Sequence, residues 1–286
     1  MHTTTPAHYF STSMNGASGA AAGAIANFID LNQFDKNQLH VFAKIQGTRE
    51  RICITYGPTM RSLAFVTPVA ITNYPRLTGD GDYKPGSQYG PQDPKKARFG
   101  LDLNQWEEGT APHEGAFEAV DKYMRVIEAV DSALLDFMFG NQLKWLGRKN
   151  LSKEEVRMLQ IPSIKSPIDK DSGAEKPHAV KLQSNKFYFD QVGNERERKI
   201  NVCDHSGKIV PDGTAMPGDA VCCTSHLGSV YNGVGGDKFG ISWQLEDVQI
   251  VCQAEHLKPR QYLPIFQSND ITGFETHDYT DVAMEC

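Results

Sequence analysis

Long apolar runs are missing from this chain. Nowhere in its 286 residues do apolar side chains approach the roughly 20 in succession that a transmembrane helix needs. The first residues carry neither a basic stretch nor the apolar stretch that would follow it in a secretory leader, so none is expected. Cysteine is sparse: the six residues at 53, 203, 222, 223, 252 and 286 show no regular spacing. That argues against a disulfide framework and for free thiols in a reducing compartment. Catalytic signatures are absent as well. "GVGGDKFG" (233–240) is not a phosphate-gripping G-x-x-x-x-G-K-[ST] loop, and a strand rather than a helix follows it, which excludes a dinucleotide loop. No G-x-S-x-G or H-E-x-x-H occurs. The expectation is a soluble, intracellular protein that is not an enzyme, carries no cofactor and has no membrane partner.

A metal centre has one opening. Cys203-x-His205 and Cys223-x-x-His226 would supply a Cys2His2 set if their strands were neighbours. Buried cysteines beside surface histidines explain the same residues, and Cys222 and Cys223, being consecutive, point to opposite faces of any strand. No metal is expected.

What is present is enough apolar content, 40%, for a core, in a length that suits one elaborated domain or two small ones. Residues 1–24, with "NGASGAAAGA", read as a flexible Ala/Gly/Ser-rich lead. "ICITY" (52–56) and "SLAFVTPVAITNY" (62–74) read as β, the second interrupted by Pro68, which implies an edge or a bulge because proline cannot donate to a ladder. Residues 77–96 and 161–177 have loop compositions, and "ARFGLDL" (97–103) is a further strand. From 112 to 147 the chain reads as one helix. Phe117, Val120, Met124, Ile127, Val130, Leu134, Phe137 and Met138 recur in steps of three and four, with Glu118–Lys122 and Asp121–Arg125 as i,i+4 pairs on the other face. A short helix at 152–160 is capped by Ser152, with Glu155 at the capping-box offset. Strands resume with "HAVKLQ", "KFYFDQV", "KINVCD", "DAVCCTSH" and "FGISWQLEDVQIVC". In the last, Leu245, Val248 and Ile250 cannot share one period-2 face, which predicts a bulge near Glu246–Asp247. Strands, one long inserted helix and strands again indicate an α+β fold with an OB-like β-barrel over 25–258, the helix expected between its third and fourth strands.

The net charge of -6 is unevenly placed. Residues 44–100 and 140–210 each carry +5, whereas 101–139 carry -7 and 211–286 carry -8. The two basic segments interleave cations with aromatics on strands. Lys181, Lys186, Phe187, Tyr188, Arg196, Arg198 and Lys199 fall within about one hairpin, while Tyr56, Arg61, Tyr74 and Arg76 belong to the first β region and Lys95, Lys96 and Arg98 to the loop before the third strand. Single-stranded nucleic acid asks for this combination, because cations follow phosphates and aromatic faces take unstacked bases at roughly 1–3 kcal/mol each. Core packing accounts equally for part of the set. Residues 259–286 form an acidic tail with Phe266, Phe274 and Tyr279, and from 261 onward they hold five carboxylates and no Lys or Arg. Such a tail can occupy its own basic groove or dock on partner proteins.

"GSVYNGVGGDKFGISWQLEDVQIV" (228–251) resembles the closing strand pair of single-stranded DNA-binding proteins of bacteriophages and large DNA viruses. Gly240, Ile241, Ser242, Leu245, Val248 and Ile250 stand in that family's closing strand pattern, and "DGTAMPGDAVCCTSHLGSVY" (212–231) is similar to its preceding segment. The long loops at 77–96 and 161–177 and the Ala/Gly-rich start point toward the larger viral members. The resemblance implies an OB-type protein that binds single-stranded DNA without sequence preference in viral DNA replication, recombination or repair. It also implies a tail that recruits replication proteins such as a polymerase or helicase, at the site of viral DNA replication in the host cell. A homo-oligomer stays open. Candidate DNA contacts are Arg61, Lys181, Lys186, Tyr188, Arg196, Arg198, Tyr231, Lys238 and Trp243. The alternatives are a viral structural or protein-interaction β-barrel and a metal-dependent enzyme built on the Cys/His group.

Overall fold

The structure, a computed structural model, describes residues 28–46, 48–76, 96–103, 115–166, 168, 173, 176–185, 187–189, 194–197, 200–211, 214–233 and 237–253. The lead, the loop at 77–95 and the acidic tail lie outside them. A 3-10 turn at Lys36–Gln38 precedes β1 (Leu39–Gln46), β2 (Arg49–Tyr56), β3 (Arg61–Ser62), β4 (Ala64–Val66), β5 (Ala70–Arg76) and β6 (Lys96–Asp102). Helices α1 (Ala116–Gly140), α2 (Gln142–Leu146) and α3 (Lys153–Leu159) follow. The chain then forms β7 (Gln160–Ile161), β8 (Ile164–Lys165), β9 (Ala179–Asn185), β10 (Phe187–Phe189), β11 (Glu195–Glu197), β12 (Asn201–Cys203), β13 (Ile209–Val210), β14 (Ala220–Asn232) and β15 (Phe239–Cys252).

Five strands carry the architecture. β5 pairs β6, β6 pairs β9, and β14 pairs both β5 and β15, all antiparallel. β15 meets β9 again in parallel, Trp243 opposite Leu182 and Gln244 opposite Gln183. The ladders therefore return to their starting strand in the order β5-β6-β9-β15-β14, a five-stranded OB-like arrangement. Counted this way, α1 lies between the second and third strands of the ring. The sequence expectation of a helix after the third strand is corrected, because "ICITY" belongs to a separate sheet, β1-β2-β3. β1 was not expected from the sequence at all.

Local chemistry explains the breaks. Pro68 separates β4 from β5, yet both remain on β14, Val66 opposite Thr224 and Ala70 opposite Val221. Four steps from Val66 to Ala70 stand against three from Thr224 to Val221, so the chain bulges at the proline instead of ending. The expected bulge is present: Thr224 faces Asp247 and Ser225 faces Leu245, leaving Glu246 extra. Ser152 caps α3 through a complete capping box with Glu155.

The core joins the ring, the β1-β2-β3 sheet and α1. Val120, Tyr123, Val126, Ile127, Val130, Leu134, Leu135 and Met138 are buried along α1. The buried stripe is rotated from the expected one, since Phe117 is 42% exposed. The helix is also shorter: Asn141 interrupts it before the single turn of α2, and Gly147, at φ 64°, ends that turn. Glu118 and Lys122 form the expected i,i+4 ion pair at 2.7 Å. Asp131 ties α1 to the strands by accepting the backbone N–H and hydroxyl of Ser163, both at 2.7 Å. Among the described residues no helix is long and apolar enough to cross a membrane.

Gly240 is a point of close approach. A Cβ there would stand 2.5 Å from the Tyr231 hydroxyl and 2.8 Å from the backbone oxygen of Ile161 on β7. Gly240→Ala must displace β7 or the tyrosine, and the expected cost is about 1–3 kcal/mol, read as a lower urea midpoint at unchanged slope. A midpoint equal to wild type contradicts the tight packing.

Candidate nucleic-acid interface

Alternation on β6 and β9 sets up the surface. Phe99 and Leu101 on β6, and Val180 and Leu182 on β9, point into the core. The intervening residues must face outward. Arg98 stands opposite Gln183, and Gly100 opposite Lys181. β8 extends the same face, with Ile164 buried and the exposed Lys165 opposite Ala179. On the far side, Arg76 and Tyr74 hold the β5 register positions opposite Arg98 and Gly100, and Lys96 that opposite Asn185.

The electrostatics show how crowded these cations are. Loss of hydration at the sheet surface lowers the pKa of the Lys181 ammonium, and the Arg98 guanidinium and Lys165 ammonium lower it further. Like charges held together in this way favour an anion between them. The carboxyl in the same row, Asp102, is buried, accepts a hydrogen bond from the Asn73 amide, and is pushed up to about 6 by its desolvation. Its register neighbours are Ile71 and Ala179.

The nine residues expected to touch DNA separate. Lys181 lies at the centre of the cationic face. Tyr188 and Arg196 are cross-strand partners in the small β10–β11 ladder, which follows β9 directly, and Arg196 is exposed. Lys186 and Arg198 lie outside the described residues. Lys238 is exposed at the start of β15, where its carbonyl closes the turn by accepting the Gly233 N–H at 2.7 Å. Tyr231 is half-buried over Gly240. Arg61 sits on the separate sheet, 5.7 Å from the centre of the Tyr56 ring. Trp243 is a correction: it is 1% exposed, packs 5.8 Å from Phe65, and donates its indole N–H to Ser163 Oγ at 2.9 Å. An odd-numbered position between Ile241 and Leu245 puts it on the inward face, so it belongs to the core. Arg98 belongs to the basic, aromatic-bearing set but not to the nine candidates, and nothing local marks Lys165, which joins the face only because β8 pairs β9.

Gly233 is not in the left-handed region. It supplies room instead, since an added Cβ would lie 3.1 Å from the Lys238 carbonyl oxygen. Residues 234–236 lie outside the described residues. The Cys/His residues do not converge. Cys203 and Cys222 flank β15 from opposite sides, each opposite Gln249, while Cys223 is buried opposite Val248. His226 Nδ1 lies 2.9 Å from Glu246 Oε1. Among the described residues, no three His, Cys, Asp or Glu side chains gather as a metal site would require.

No family model and no curated protein sequence matches the chain. Among solved structures it is similar to gp2.5, a single-stranded DNA-binding protein encoded by bacteriophage T7. That likeness has a TM-score of 0.40 at 15% identity, and covers 67% of this chain and 92% of that one. It is also similar to the single-stranded DNA-binding protein of bacteriophage Enc34 in complex with single-stranded DNA. There the TM-score is 0.35 at 12% identity, with 70% and 90% of the two chains covered.

Asp102 and Asp131 both have carboxyls raised to about 6 by burial. A raised carboxyl stabilises the fold below its unfolded pKa, and that contribution is lost as pH rises through the folded value. Urea midpoints should therefore fall between about pH 4 and about pH 7, and Asp102→Asn, which keeps an acceptor for Asn73, should flatten part of the fall. An Asp102→Asn protein with the wild-type pH profile contradicts the assignment.

Proposed function

We propose that this chain binds single-stranded DNA without sequence preference, through the outer face of β6, β9 and β8. The observation that carries the reading is the repulsion among Lys181, Arg98 and Lys165, which the β6–β9 and β8–β9 ladders set on one face. A flexible phosphate strand relieves it, and release of the strand's counterions adds the driving force. The location fits the fold, because OB-like proteins take oligonucleotides on their second and third strands and on the loop joining the fourth to the fifth. In this chain those strands are β6 and β9, and that loop carries Lys238. Arg196 and Tyr188 on the β10–β11 ladder would prolong the track beyond β9. Lys186 and Arg198, which flank that ladder in sequence, belong to the same proposal.

The closed ring is read as an OB barrel, and the protein as a non-enzymatic one acting in viral DNA replication, recombination or repair at the intracellular site of that replication. It would cover exposed strands and remove hairpins. The acidic residues 259–286, with Phe266, Phe274 and Tyr279, would compete for the cationic face and recruit replication proteins.

Fluorescence anisotropy with labelled oligo-dT and with duplex, over a salt series, tests the reading. Wild type should prefer the single strand, with log affinity falling by about 0.7 per phosphate contacted for each unit of log salt. The double variant Lys181→Ser/Arg98→Ser should bind roughly tenfold more weakly, with a slope shallower by about 1.4. Truncation after Pro259 should tighten binding. No binding of oligo-dT at low salt, with or without the tail, sinks the proposal.

A further inference from the structure

We propose that the pocket between β2, α2 and the end of β14 is a second subsite on the same strand's path, holding one nucleotide by its phosphate and base; this rests on the reading of the β6–β9 face. The cavity has a volume of about 380 Å³ and is lined by Arg49, Glu50, Arg51, Trp145, Ser229 and Asn232 among others. That is the size range of small-ligand sites.

A polar row leads to it from the cationic face. Arg98 is the register partner of Gln183. The Gln183 amide donates to Ser242 Oγ across the β9–β15 junction. Ser242 is in turn the register partner of Ser229 on β14, which is exposed and lines the pocket. The row crosses three strand spacings, about 14 Å, on the outer face of the ring. A strand following this row over Arg98 and Gln183 bends around the ring to reach Ser229.

The charge inside suits a phosphate. Glu50 is neutralised by Lys144, at 2.7 Å, leaving Arg49 and Arg51 as the charges unbalanced within the lining. Lys44, in register opposite Arg51, adds a third cation to that end of the hairpin. The edge of β2 facing away from β1 also contributes. Among the described ladders β3 covers only Thr55 and Tyr56, so the backbone from Arg49 to Ile52 has no strand partner on that side. For the base there is Trp145, half-buried on the pocket wall, with the Lys144 ammonium 5.5 Å from its ring centre. The site is also preorganised. The Glu50–Lys144 pair holds α2 to β2, and the Asn232 amide donates to the Trp145 carbonyl and holds α2 to β14. Walls cross-linked in this way lose little freedom when a ligand enters.

The test is oligomer-length dependence of binding, with oligo-dT from about four to about sixteen nucleotides. It compares wild type, Arg49→Ser/Arg51→Ser and Lys181→Ser/Arg98→Ser, with thermal melting to confirm that each is folded. The pocket variant should match wild type on the shortest oligomers and bind roughly tenfold more weakly once the strand is long enough to reach Ser229. Quenching of tryptophan fluorescence should grow over the same lengths and be lost in Trp145→Phe. Equal affinities for wild type and the pocket variant at every length overturn the subsite, as does an equal loss at every length, which would mark the arginines as general attraction. In both of those cases a weakened Lys181→Ser/Arg98→Ser protein leaves the β6–β9 reading standing. If that variant binds like wild type while the pocket variant is weakened, the β6–β9 face falls instead.

Discussion

β15 is the strand on which every other placement depends. Along one edge it runs antiparallel to β14 from Phe239 to Cys252. Along the other it is passed between three parallel partners in turn: β7 at Phe239–Gly240, β9 at Trp243–Gln244 and β12 at Asp247–Gln249. The three partners share one edge by taking successive stretches of it. The bulge at Glu246 falls between the second and third partners, where the added local twist re-aims the strand. Losing the β9 contact would open the ring, because it is the pairing that joins its two ends.

That constraint also distributes polarity. Once β9 is held between β6 and β15, alternation sends Val180 and Leu182 inward and Lys181 and Gln183 outward, with no freedom left to exchange them. The inward positions are completed by Trp243, whose indole N–H would be costly to bury unpaired. Ser163 resolves this by accepting it, and donates its own hydroxyl to Asp131 on α1. One chain of hydrogen bonds thus fixes the helix, the β7–β8 segment and the core tryptophan together. The same segment ends in Lys165, so the device that packs the core also delivers a cation to the outer face.

The two cationic regions have different origins. Lys181 and Arg98 are adjacent because their strands pair, and their crowding is a property of the ladder. Arg49 and Arg51 belong to the β1–β2 hairpin, which stands outside the ring. They come to β14 because the opposite face of β2 buries Ile52, Ile54 and Tyr56 in the shared core. A hydrophobic contact therefore positions a polar pocket.

Features with a short-range physical cause were legible in the chain: the Ser152–Glu155 capping box, the bulge at Pro68, the Glu246 bulge and the existence of the long helix. In each, the residues that create the feature are within a few positions of one another. β1 escaped notice because it is half-buried through Val41, Phe42 and Ala43, so its burial does not alternate cleanly. Trp243 was misread as a surface aromatic because its type suits stacking and core alike, and only the inward phase of β15 separates them. By itself the sequence determined an α+β chain with basic, aromatic-bearing strands. The tertiary structure decided which strands are neighbours, and with that which cations stand together, since the meeting of Arg98, Lys165 and Lys181 depends on ladders between segments up to about eighty positions apart.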